Sequence, residues 1–321
     1  MGRLTANIRR GRVLGGLCAA AATLAACGAL PPVDPVLTPR ARPAGIAKPV
    51  VVAQPTSIKS AMLRSYLNEV QRAQVSQGLL RRDGGGPDTP FTADMLARNF
   101  EQIVFYNEYD SDFKGRGGQS PLRRWTGPVR MKIIFGDSIP PSQRDNDDYD
   151  VRQYANRLSR ATGHQIATTG EPNFLVIIAG EDDRAAALEE VPRRIPEISD
   201  KSLNALRSLR RDTYCVVAAF AAGPDASTYT AAVAVIRAEN PDLLRLSCIH
   251  EELAQGLGLA NDSPAARPSI FNDDDEFALL TTHDEMLLKM LYDPRLRPGM
   301  TAQEAAPIVR ILARELTTGP L

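Results

Sequence analysis

Histidine is scarce in this chain, with only His164, His250 and His283 among 321 residues. They are widely separated in sequence, so a local zinc site made of three histidines is excluded. The three side chains can meet only through folding. Any metal site formed by neighbouring residues must therefore use other ligands, such as carboxylates or cysteines.

An excess of charge of one sign is also absent, because 38 Lys and Arg are matched by 38 Asp and Glu. Nucleic-acid binding generally requires a basic face, and this composition does not favour one. Beyond the N-terminus, no stretch reaches the roughly 18 consecutive apolar residues that a membrane-spanning helix needs. We therefore expect no nucleic-acid partner and no transmembrane helix.

The N-terminus has the features of a bacterial export signal. Four arginines flank or precede a short apolar run at residues 13–22, which is too short to span a bilayer. The sequence Leu24-Ala25-Ala26-Cys27-Gly28 follows and resembles the lipobox of bacterial lipoproteins, whose cysteine carries the lipid. The resemblance implies a signal peptide at residues 1–26 and lipidation of Cys27. An ordinary cleaved signal with an incidental cysteine is the alternative.

Lipidation would make the bacterial membrane itself a binding partner, since acyl chains insert without a transmembrane helix. We expect the protein at the periplasmic face of the envelope. The second residue of the mature chain would be Gly28 and not Asp, and this resembles the sequence of lipoproteins that are sent on to the outer membrane. Residues 27–57 are rich in Pro, Ala and Val and poor in aromatics, which is typical of an extended tether. Without residues 1–26 the chain has 34 basic and 38 acidic side chains.

Cysteine use agrees with export. Of the four cysteines, Cys18 leaves with the signal peptide and Cys27 is the lipid site. Cys215 and Cys248 remain, and an even pair in an oxidising compartment predicts a disulfide. The alternative is a pair of buried free thiols.

Two helices are predicted in an N-terminal helical segment at residues 58–114. The first covers residues 58–80 with Ser57 as its cap, and the second begins at Thr92. They are expected to pack on the main domain or to form a small accessory unit.

The remaining residues, 120–321, predict an α/β domain. Strands at 129–135 and 174–179 flank a helix at 151–161, an order typical of a parallel crossover. Two more strands, at 213–220 and 228–236, are joined by a Gly-Pro-Asp turn. We predict an acidic loop at residues 145–150, where calcium binding is the alternative although the glycine and terminal glutamate of an EF-hand are missing. Residues 272–276 are predicted to be a solvated acidic turn, with a metal role as the alternative, and residues 181–211 a surface insertion.

The chain is organised around residues 246–262. Apolar side chains recur there at helical spacing and predict a helix. Counting from Glu251, the order is Glu-Glu-x-x-Gln-x-x-Gly-x-x-Asn. Residues four apart share a helical face, so Glu251 and Gln255 can approach one ligand. Gly258 can adopt the left-handed backbone that turns the chain back towards them.

This spacing resembles the metzincin zinc motif, H-E-x-x-H-x-x-G-x-x-H, with every histidine replaced. Glu252 takes the position of the general base, Gly258 that of the turn glycine, and Asp262 could substitute as a ligand. Counting from His250 instead puts Ala254 at the second ligand, so that register fails. The three metal-ligand positions are taken by Glu251, Gln255 and Asn261.

Two downstream segments extend the resemblance. Ser269-Ile270-Phe271-Asn272 is similar to the metzincin Met-turn, with Phe271 in place of the methionine beneath the site. Residues 280–292 are similar to the closing helix of matrix-type metalloproteases. Runs such as Glu-Glu-Leu-x-Gln-x-Leu-Gly-Leu-x-Asn-Asp also resemble an uncharacterised bacterial family related to zinc peptidases, known only as a domain of unknown function.

The resemblance implies a zincin-like fold of the α/β (α+β) class, with a mixed twisted sheet and a long motif helix, preceded by the N-terminal helical segment. Such a domain lays an edge strand along its cleft, where an extended peptide can add as a further strand. The amides of Gln255 and Asn261 are weak zinc donors, so we expect no cofactor and no bound metal, with zinc as the alternative.

Three functions fit these observations. The first is a pseudo-enzyme that keeps the cleft and binds a protein or peptide in the envelope. The second is an active metal-dependent hydrolase that uses Glu251, Asp262 and His250 or His283 around a metal, with Glu252 as general base. The third is a purely structural envelope lipoprotein.

Overall fold

The computed structural model describes residues 56–108, 117–221 and 227–318. The predicted signal peptide, the lipidation site at Cys27 and almost all of the predicted tether lie outside these residues. None of the helices described combines the length and the apolar composition that crossing a bilayer requires.

Within the described residues, six strands form one mixed sheet that is mostly parallel. In chain order they are β1 (Arg124–Trp125), β2 (Val129–Phe135), β3 (Ile166–Ala167), β4 (Phe174–Ala179), β5 (Cys215–Ala221) and β6 (Thr228–Arg237). The parallel centre has the order β6-β4-β2, and β5 pairs antiparallel with the other side of β6. The predicted parallel crossover is confirmed, because β2 and β4 are parallel neighbours in the sheet and the chain between them forms a helix.

That crossover helix, α3 (Pro141–Thr162), is longer than predicted. It includes residues 145–150, so the prediction of an acidic loop there is wrong. Asp147 is fully buried, and its Oδ1 lies 2.7 Å from Nε of Arg245, which is also buried. This internal ion pair lets an acidic stretch continue as helix, because the carboxylate that faces the core is neutralised there.

The two faces of the sheet are covered by different parts of the chain. One face packs in the main core against α2 (Ala93–Val104), α3, α7 (Asp242–Gln255), α8 (Thr282–Leu291) and α9 (Ala302–Thr318). The other face packs against residues 181–211, which form α4 (Arg184–Ala187), a 3₁₀ turn, α5 (Val191–Arg194) and α6 (Asp200–Arg207).

The prediction that residues 181–211 are a surface insertion is therefore wrong. Leu188, Val191, Ile195 and Leu206 are almost entirely buried against Leu175, Ile177, Val233 and Val235 of the central strands. A parallel sheet buries both faces, so its strands require an apolar cover on each side. The prolines and arginines of the segment hid this role because they break the helical periodicity.

The N-terminal helices differ in how they attach. α2 belongs to the main core through Leu96, Phe100 and Ile103, which are fully buried, and it packs on α9. α1 (Ile58–Ser76) contributes Leu63 and Leu67 to a small separate cluster, in which they pack against Leu244 of α7. The structure therefore places α2 within the α/β domain, while α1 lies on its surface.

Candidate functional site

Helix α7 brings the motif to a cleft at the start of β5. The helix is joined to β5 by a disulfide between Cys215 and Cys248, whose Cα atoms are 5.8 Å apart. This disulfide confirms the predicted pairing. Because Cys248 lies one turn before Glu252, the bond fixes the motif carboxylates beside the first residues of β5.

The chain leaves α7 through a glycine turn. Gly258 has a φ of +124°, and a Cβ atom added there would lie 2.4 Å from the carbonyl oxygen of Arg123. Only glycine fits this backbone without strain. Trp125 fixes the same turn by donating its Nε1 hydrogen to the carbonyl oxygen of Gly256 at 2.8 Å. The turn carries Asn261 and Asp262 back to the cleft.

The cleft has a volume of about 760 Å³ and is lined mainly by polar side chains. α7, the loop after it, the residues after α2 and the start of β5 all contribute to it. The residues that matter most for its chemistry are Glu108, Cys215, Glu251, Glu252 and Asp262. Five parts of the fold therefore meet here, since Asp273 and Asp275 from a later loop also line the cleft.

Three motif carboxyl groups share the cleft wall. Glu252 is 4% exposed, and its Oε2 is buried without a hydrogen-bond partner among the described residues. Burial raises the pKa of Glu252, and the negative charges of Glu108 and Asp262 raise it further. The pKa values of Glu251 and Asp262 are raised for the same two reasons. Burial and mutual repulsion therefore make these three carboxyl groups harder to ionise than carboxyl groups in water.

Gln255 bridges one of these carboxyl groups, Asp262, and the carboxyl group of Glu108. Its side-chain amide donates to Oδ1 of Asp262 at 2.9 Å and to Oε2 of Glu108 at 3.3 Å. Asn261 instead donates to the carbonyl oxygen of Gln102 at 2.9 Å, which ties the loop after α7 to α2. Both amides thus act as hydrogen-bond donors at the positions where the motif predicted metal ligands.

None of the three histidines lines the cleft. His250 stacks on Tyr154, and its Nδ1 accepts a hydrogen bond from the backbone of Leu280 at 3.0 Å. Burial lowers the pKa of His250 to about 3, so the ring is neutral. His283 is fully buried and its Nε2 contacts the amide of Asn99 at 3.0 Å. Both imidazoles serve the core and are not in position to bind a metal in the cleft.

The predicted floor of the site is a tight turn organised by one buried carboxylate. Asp284 accepts hydrogen bonds from Ser269 Oγ at 2.5 Å and from the backbone of Ile270 at 3.1 Å. Phe271 is fully buried in the main core. Asp284 also forms a capping box with Thr281 at the start of α8, so one side chain joins the turn to the helix.

The donors in the cleft do not fit a catalytic zinc ion. Zinc takes nitrogen or thiolate ligands or a mixture of these with carboxylates, and here the histidines are elsewhere. The sulfur of Cys215 lies within 4.8 Å of carboxylate oxygens of Glu251 and Glu252, but it is already bonded to Cys248. What remains is a set of oxygen donors, which suits harder cations.

Sequence reasoning missed part of the site. Glu108 follows α2 and has no periodic or motif signal, so only the fold reveals it. Asp273 and Asp275 belong to the loop that was predicted to be a solvated turn. The loop is exposed as predicted, yet both side chains line the cleft. The run of three aspartates was the one available signal.

The model of a family described as "Protein of unknown function (DUF2927)" matches residues 93–311. The chain belongs to the DUF2927 family. The DUF2927 region begins with α2 and includes every residue that lines the cleft, so Glu108 and the motif carboxylates belong to one domain. No solved structure matches the chain, and no curated protein does.

Proposed function

We propose that this protein is a lipid-anchored binding protein of the bacterial envelope, in which the DUF2927 domain keeps a peptidase-like cleft and binds a protein or peptide there. Cys27 would carry the lipid at the periplasmic face, and Gly28 favours the outer membrane. The disulfide supports export, because such bonds persist in oxidising compartments.

The observation that carries this proposal is the position of β5. Within the described residues, β5 pairs only with β6, so its other edge offers unpaired backbone groups. Its first residue, Cys215, forms one wall of the acidic cleft together with Thr213 and Tyr214. An edge strand beside a cleft can bind an extended peptide through main-chain hydrogen bonds, with side chains entering the adjacent pocket.

The register identifies which backbone groups face outward. The N–H of Arg237 donates to the carbonyl oxygen of Tyr214, and Cys215 is opposite Ile236. Antiparallel residues alternate between bonded and non-bonded pairs, so Cys215, Val217 and Ala219 direct their N–H groups to the free edge. Val217 is near the middle of β5 and two residues from the cleft wall.

The layout also supports the resemblance to metzincins, since the motif helix lies beside an antiparallel edge strand. Hydrolysis is disfavoured, because the oxygen-only donor set does not suit zinc. An active hydrolase is the second candidate, and the unpartnered oxygen of Glu252, at the general-base position, is the observation that favours it.

The full-length chain in detergent tests the proposal on an array of random decapeptides. We expect a subset to bind intact, and we expect Val217→Pro to weaken their binding at least tenfold. Proline removes the outward N–H and is tolerated on an edge strand. Val217→Ala is the matched control, with the N–H retained, and should bind within about twofold of the wild type.

The readouts separate the candidates. Cleavage of bound peptides that disappears in Glu252→Gln would establish the hydrolase. An array without bound peptides, or equal binding by Val217→Pro in a chain that melts like the wild type, would contradict the edge-strand mode.

A further inference from the structure

The acidic cleft has a further property that does not depend on peptide binding. Glu252 is almost completely buried, yet its Oε2 atom has no hydrogen-bond donor among the described residues. A buried carboxylate oxygen normally has a donor or a cation beside it, because removal from water is unfavourable for the charged form. Glu252 lines the cleft, so the missing partner can reach it from there.

Other carboxyl groups converge on the same point. Oxygen atoms of Glu251 and Glu252 and the sulfur of Cys215 all lie within 4.8 Å of one another. Two ligands about 2.4 Å from one calcium ion can be at most about 4.8 Å apart, so this separation suits two oxygens of one coordination shell. Asp262 is held on the same side by its bond with Gln255.

The described part of the cleft does not supply a matching positive side chain. Arg210 is the one described cation that lines the cleft, and it is paired with Asp212. Its Nη2 lies 2.8 Å from the Asp212 carboxylate, and both side chains are largely exposed. The carboxyl groups of Glu251, Glu252 and Asp262 therefore have no basic partner among the described residues that line the cleft.

We propose that the DUF2927 cleft binds one hard divalent cation of the calcium class through the carboxylates of Glu251, Glu252 and Asp262. Calcium takes six to eight oxygen ligands in flexible geometry, and the open volume of about 760 Å³ leaves room for water to complete the shell. Magnesium demands a stricter octahedron, and zinc favours nitrogen and sulfur ligands that the cleft does not offer.

Terbium provides a direct test, because it is a hard oxygen-seeking ion and its luminescence is sensitised by nearby aromatic rings. Tyr106 and Tyr214 line the cleft, which places sensitisers close to the proposed ligands. Full-length chain treated with chelator and kept in detergent should give tyrosine-excited terbium emission. Calcium should displace the terbium, and calcium alone should raise the melting temperature in a saturable way.

Variants localise the effect. We expect Glu252→Gln to weaken calcium binding at least tenfold, because it removes one charged ligand and keeps the shape. Glu197→Gln is the matched control, since Glu197 is exposed and outside the cleft, and it should bind like the wild type. Tyr214→Phe should alter the emission intensity while the calcium affinity stays within about twofold.

Several outcomes would overturn the inference. No terbium emission and no calcium-dependent shift in melting temperature would mean that protons, or a basic side chain, satisfy Glu252. Equal losses in Glu252→Gln and Glu197→Gln would mean diffuse surface binding. Binding of one zinc ion per chain that calcium cannot displace would contradict the proposed preference for calcium over zinc. Each measurement uses metal alone, so failure here leaves the peptide-binding test of Val217→Pro unaffected.

Discussion

At the scale of single residues, the site depends on a few side chains whose neighbours define their chemistry. Glu252 occurs at a motif position, but its burial and its unpartnered oxygen come from the surrounding fold. Gln255 occupies a position where a ligand was predicted and is instead a donor between two carboxyl groups. The residue type was visible in the sequence, whereas the direction of its hydrogen bonds was not.

Gly258 gives a prediction at this scale. Gly258→Ala should lower the free energy of unfolding by about 2–3 kcal/mol, because alanine is strained at this φ and its Cβ would meet the carbonyl oxygen of Arg123. Urea denaturation followed by circular dichroism measures the change. Gly127→Ala is the control, since a Cβ there meets no atom within 4 Å. Similar stability for the two variants would contradict the turn geometry.

At the scale of elements, α1 is attached to the domain more by polar side-chain contacts than by its small apolar cluster. Lys59 of α1 contacts the carboxylate of Glu181, which also accepts hydrogen bonds from Arg184 and Arg237. Burial alone would raise the pKa of Glu181, but these three donors outweigh burial and hold the pKa at about 2. The cluster therefore stabilises the fold when Glu181 is ionised.

The sign of the pH dependence follows from this lowered pKa. Glu181 stabilises the fold fully above its unfolded pKa of 4.5, and the effect is lost as the pH falls towards 2. We expect Glu181→Gln to lower the free energy of unfolding by about 3 kcal/mol at pH 7. Urea titrations from pH 7 to pH 3 should show the difference from wild type shrinking. A constant difference would exclude the ionised cluster as its cause.

Element types could be predicted well where local patterns were strong. The buried strands β2 and β4, the motif helix α7 and the disulfide all agree with the sequence. The acidic stretch inside α3 was misread, because the partner of Asp147 is Arg245, almost one hundred residues away. The link between the start of α8 and the turn at Ser269 was also not visible, because Asp284 takes part in both.

At the scale of the whole molecule, one covalent bond joins the sheet to the helix that carries the site. The disulfide between Cys215 and Cys248 closes a loop with a sequence separation of 33 residues. The chain-entropy relation gives about 3–4 kcal/mol for a loop of this size. The Cys215→Ala, Cys248→Ala double variant should lose this much free energy of unfolding in urea.

A reductant supplies the control for that variant. Reduction should destabilise the wild type by a similar amount and leave the double variant unchanged. If the reductant affects both chains equally, the disulfide is not the source of the lost stability.

The attachment of α1 has a mechanical consequence. A pull on the chain ahead of residue 56 reaches the domain at Ser57 and Lys59, which contact Asp182 and Glu181 just beyond β4. Tension would therefore act on these side-chain hydrogen bonds before it acts on the hydrophobic core, and α1 would separate from the domain first. Near its other end, Gln74 donates to Asp275 in the cleft wall at 2.6 Å. Separation would release that carboxylate, so force on the N-terminus would be felt at the cleft.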